Sequence, residues 1–131
     1  MKNEDILKQS DAICVALSCD DDNLKRDVLS HTGNRWAMAV LHTVAVHGPS
    51  RHAELARMLA GVTQRMLTRT LRQLERDGLV SRFDYQEKLP RVEYSITSLG
   101  TAFLIETFPL WNWVIKNADA FRIARERYDN Q

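Results

Sequence analysis

Apolar residues near the start of the chain recur every three or four positions. Ile6, Leu7, Ile13, Cys14 and Leu17, with Ser10 between them, share one helical face, so the spacing predicts an amphipathic helix ending near Asp20-Asp21-Asp22. Those aspartates are placed to cap a second helix over about 23–31. A third helix is expected from Asn34, with Trp36, Ala37, Val40, Leu41 and Val44 facing inward and Gly48-Pro49 as its stop. A short fourth helix over about 51–60 buries Leu55, Ala56 and Leu59 before Gly61 turns the chain.

The fifth helix carries the clearest pattern. Thr63 is placed to cap it, Leu67, Leu71 and Leu74 follow at helical spacing, and Gly78 ends it. Arg65, Arg69, Arg72 and Arg76 form a second stripe nearly opposite the leucines. A solvated helix ordinarily mixes charge signs to gain i,i+4 pairs, yet only Glu75 and Asp77 near the end are acidic.

Beyond Gly78 the period shortens to two. Residues 79–83 and 92–96 alternate as strands, and the polar stretch between them predicts a hairpin with a charged tip bearing Lys88 and Arg91. Helix returns after Thr97, with Phe103, Leu104, Phe108, Trp111, Val114, Ile115 and Ala118 available for burial and Pro109 expected to kink or break it. Thr97 to Gly100 reads as a cap and first turn. Trp111 and Trp113 flank Asn112 and project oppositely, leaving an aromatic effector pocket open beside the simpler reading of core packing.

Charge changes this picture only when it is split by segment. The 131 residues carry 18 Lys+Arg against 17 Asp+Glu, a net +1. Residues 1–30 hold four basic and seven acidic side chains, whereas residues 51–91 hold nine basic and five acidic. A nearly neutral chain with a basic middle fits a small, specific nucleic-acid reader and excludes a polycation or an acidic disordered tail.

Its length suits one core, and no apolar run exceeds six residues, the length of Ala12 to Leu17, far short of the roughly 20 that span a bilayer. No secretory pattern opens the chain, so a cytoplasmic location is expected. Two cysteines build no disulfide framework. Cys14 falls on an apolar face, where burial is expected, and Cys19 lies at a polar helix end beside three aspartates; both are candidate thiol sensors. His31, His42, His47 and His52 include no i,i+4 pair, so structural roles are expected rather than metal ligation. No cofactor is called for. Phosphate loops, nucleophile elbows and paired acids in apolar settings are absent, which argues against an enzyme.

Three helices followed by a hairpin, the third helix bearing the arginines, is the order of a winged helix-turn-helix: mainly α with a small antiparallel β-hairpin. In one domain of 1–131, residues 1–22 would be an N-terminal dimerisation arm, 23–96 the DNA-binding core with its wing at about 79–96, and 97–131 one or two C-terminal dimerisation helices. Thr63, Gln64, Arg65, Thr68 and Arg69, near the helix start, would face base edges in the major groove. Arg51, Arg72, Arg76, Lys88 and Arg91 would meet phosphates or carry the wing.

The ordered segments Gly33-Asn34-Arg35-Trp36, Gly48-Pro49-Ser50-Arg51-His52-Ala53-Glu54-Leu55, Leu71 to Arg82 and Pro90-Arg91-Val92-Glu93-Tyr94-Ser95-Ile96-Thr97-Ser98-Leu99-Gly100 together resemble the HxlR-type bacterial transcriptional regulators. The resemblance covers roughly residues 23 to 113. It implies a homodimer joined through its terminal helices and bound to a two-fold-related operator. His52 stands where the family pattern has Phe, Asn34 replaces a glycine, and the place of the family's Cys-Pro pair falls at Asn23. The apolar terminal helices point independently to self-association. A MarR-type ligand-responsive regulator, disfavoured by the Pro-x-Val-Glu-Tyr wing, and a winged-helix protein-interaction module are the alternatives, and a small-molecule effector is a further candidate partner.

Overall fold

The computed structural model describes residues 2–131. In chain order the elements are α1 (Asn3–Ala16), α2 (Cys19–Leu29), a 3-10 turn (Ser30–Gly33), α3 (Arg35–His47), β1 (Ser50–Arg51), α4 (His52–Met58), α5 (Gln64–Arg76), β2 (Val80–Asp84), β3 (Val92–Ile96), α6 (Ser98–Lys116) and α7 (Ala118–Asp129). They divide into two compact units, 1–33 and 34–131.

In the first unit α1 forms as its periodicity predicts, but no residue of it is buried. Cys14, expected in an apolar contact, is therefore exposed. The second helix begins at Cys19 rather than near Asn23, because Ser18 supplies the cap: its Oγ accepts the Asp21 N–H at 3.0 Å. Asp20, Asp21 and Asp22 occupy the first turn, where the helix dipole favours anions, instead of preceding it. Hydrogen bonds from Lys25 and then Arg26 hold the Asp22 carboxyl below the usual carboxylate range.

In the second unit three helices and a small sheet enclose one core. Asn34 caps α3, its Oδ1 accepting the N–H groups of Trp36 and Ala37 at 3.0 and 3.2 Å. Ala37, Met38, Val40, Leu41 and Val44 of α3 meet Leu55 and Leu59 beside α5's Leu67, Leu71 and Leu74. Met38 joins this face, whereas Trp36 is only partly buried and Ala56, expected inside, is exposed. The fourth helix starts one residue later than predicted because Ser50 and Arg51 pair with Tyr94 and Glu93 as a third strand. Two residues are too few for a period to show.

The antiparallel sheet has the order β1-β3-β2, with Val80 opposite Ile96 and Arg82 opposite Tyr94. Of the alternating residues 79–83 only Leu79 and Val80 are buried; Phe83 is 60% exposed because the hairpin leaves the core there. Pro109 does not break α6, which continues to Lys116. Proline removes one backbone donor, a local loss that the remaining turns tolerate. Phe103, Leu104 and Trp111 pack partly against the core, while Phe108, Val114 and Ile115, also available for burial, remain exposed. Trp113 is exposed too and meets Phe121 edge-on at 5.7 Å.

Candidate nucleic-acid interface

Helices α4 and α5 form the helix-turn-helix, joined by a turn through Gly61 at φ +90°. The second helix is set by its cap and its leucines. Thr63 Oγ1 accepts the Met66 N–H at 3.1 Å, and Leu67, Leu71 and Leu74 are buried with Thr70 between them. Burial of that face forces the opposite one outward. Gln64, Thr68, Arg72 and Arg76 then form one i,i+4 ridge, and Arg65, Arg69 and Gln73 a second beside it.

All four arginines are exposed, and among the described residues none of them pairs with a carboxylate. Gln64, Arg65, Thr68, Arg69, Arg72 and Gln73 line an open depression of about 770 Å³. Gln73 escaped the sequence reading, although it continues the i,i+4 row from Arg69. Thr63 Oγ1 caps the helix and keeps its own hydrogen to donate.

Arg51 is exposed at the start of α4, where its backbone N–H donates to Glu54 Oε1 at 3.1 Å. Lys88 is exposed in the loop between β2 and β3. Arg91 is not at the tip with it. The Tyr85 N–H donates to the Arg91 carbonyl at 3.0 Å, which places residue 91 at the base of the loop. The Arg91 guanidinium lies 3.5 Å from the Tyr85 ring centroid and pairs with Glu87 at 3.3 Å and Glu93 at 4.0 Å. Phe83 extends this stack edge-on to Tyr85 at 4.7 Å. The side chain predicted as a wing contact also braces the wing.

Cys14 and Cys19, both exposed, line one shallow depression with Leu17, Ser18, Asp22 and Lys25. Cys19 opens α2 instead of closing α1.

A helix-turn-helix backed by a β-hairpin, with a row of arginines on its second helix, defines the winged-helix class of DNA-binding proteins. Within that class, the family model of the HxlR-like helix-turn-helix matches residues 31–121, and the chain belongs to this family of DNA-binding transcriptional regulators, which are not enzymes. It is 37% identical over 89 residues to BH0655, an HTH-type transcriptional regulator of Halalkalibacterium halodurans, covering 68% of this chain and 79% of that one. Among solved structures, the transcriptional regulator ytfH from Salmonella typhimurium superimposes with a TM-score of 0.64 at 34% identity, over 78% of this chain and 90% of the other. The redox regulator HypR in its reduced form does so at 0.62 and 34%, over 72% and 93%. Among the described residues no helix is long and apolar enough to cross a membrane.

Proposed function

We propose that the protein binds an inverted-repeat operator as a homodimer and regulates transcription by occupying it. The observation that carries this reading is the double ridge on α5, a row of exposed cations and amides whose arginines pair with no carboxylate among the described residues. Gln64, Arg65, Thr68 and Arg69 are assigned to base edges, with Thr63 capping the helix beside them. Arg51, Arg72, Arg76 and Lys88 are assigned to phosphates. Self-association is supported by α6, whose Ile105, Phe108 and Leu110 are exposed, Phe108 by 61%. The apolar groove of about 280 Å³ lined by His42, Leu104, Ile105, Phe108 and Trp111 is assigned to the same seam. A thiol-reactive signal is the proposed effector, since both cysteines are open to a reagent and share one depression.

The test is retention of fragmented genomic DNA by the reduced protein at near-physiological salt, followed by sequencing. A few enriched fragments sharing an inverted repeat are expected. Absence of enrichment in both the reduced and the oxidised protein refutes the reading.

A further inference from the structure

The Nε2 of His52 and the Oγ1 of Thr68 are 3.1 Å apart. His52 opens α4 and Thr68 lies one turn into α5, so this contact, spanning 16 residues, ties the two helices of the helix-turn-helix by side chains. Both residues are partly buried, and Thr68 also lines the open depression among the residues assigned to base edges. A free threonine hydroxyl offers one donor and two acceptor sites and rotates to suit whichever base it meets. Beside an imidazole nitrogen that freedom is lost. If the ring carries its proton on Nδ1, the hydroxyl donates to Nε2 and turns only lone pairs outward; if Nε2 carries the proton, the hydroxyl accepts that hydrogen bond and keeps its own hydrogen and one lone pair for the DNA. In the first state Thr68 presents acceptors alone and favours the exocyclic amines of adenine or cytosine over the acceptors of guanine or thymine; in the second it offers a donor beside a single lone pair, in an orientation fixed by the ring.

We infer that His52 is a positioning residue for sequence recognition, setting which hydrogen-bonding sites Thr68 turns to the DNA without itself standing on the α5 face. The inference rests on the reading of α5 as the base-contacting helix. It is tested by selecting bound sequences from a randomised duplex pool with the full-length protein and its His52→Phe, Thr68→Val and doubly substituted variants. Thermal melting of each variant confirms that it is folded, and His52→Ala replaces His52→Phe if the latter does not melt cooperatively.

The expected result is a loss of preference at a single base pair of each half-site, about 3- to 10-fold, the scale of one hydrogen bond. That loss should be the same in both single variants and no larger in the double variant. Unchanged preference at every position in folded His52→Phe overturns the inference, as does a uniform loss of affinity for all sequences. If the unsubstituted protein selects no sequence, the reading of α5 itself fails, and the two failures are thereby distinguished.

Discussion

Gly100 occupies the first turn of α6 directly over the Leu79 carbonyl. A Cβ added there would collide with the Leu79 carbonyl oxygen and come within 2.8 Å of Ile96 Cγ1. Thr97 draws the turn into this contact: its Oγ1 accepts the Gly100 N–H at 2.9 Å and donates to the Gly78 carbonyl at 2.6 Å, while its N–H donates to the Leu79 carbonyl at 3.1 Å. Gly100→Ala is expected to cost about 2–3 kcal/mol in urea unfolding, at the upper end of overpacking penalties because backbone must move. On the DNA side, Arg69→Ala is expected to relax preference at one base pair by about 1–3 kcal/mol, read by competition between operator variants. Lys88→Ala should instead weaken all sequences alike and reduce the slope of log affinity against log salt by about one. The cap at Thr97 was legible from its residue type and spacing, but the crowding at Gly100 was not, because its neighbour Leu79 lies on another element.

The helices of the core were legible as elements, since a buried face repeats its apolar signal every turn. Leu71 sits at the centre of α5's buried face, and Leu71→Ala is expected to cost about 3 kcal/mol while leaving the arginine ridges intact. A denaturation curve that kept its slope and shifted its midpoint would check this. The wing was legible as a hairpin but not in its bracing. Arg91 carries the same charge as Lys88, and only the folded loop sets it over Tyr85 and between Glu87 and Glu93. Arg91→Ala should accordingly speed hydrogen exchange at the Tyr85 amide, which donates to the residue 91 carbonyl, more than at amides of α5. The strand at Ser50–Arg51 was invisible beforehand because pairing with β3, not a local pattern, makes it a strand.

At the scale of the whole molecule the net charge of +1 conceals an acidic first segment and a basic middle, and the terminal helices leave apolar side chains uncovered. Under the proposed dimer, Phe108→Glu is expected to convert the protein to a monomer in sedimentation and to weaken operator binding by more than tenfold, because each half-site then binds alone. An unchanged sedimentation coefficient would remove α6 from the seam.

The chain by itself determined the order of its helices and of the hairpin, the caps at Thr63 and Thr97, and the opposition of leucines and arginines on the fifth helix. These depend on contacts within one or two turns, so spacing carries them. Tertiary structure alone decided that Cys14 lies open, that Ser50 and Arg51 pair with the wing, that Arg91 braces it and that His52 reaches Thr68. The strand pairing and the His52–Thr68 contact join groups brought near by the packing of the core, and the Arg91 brace depends on how the hairpin loop folds back; Cys14 lies on a helix with no buried residue.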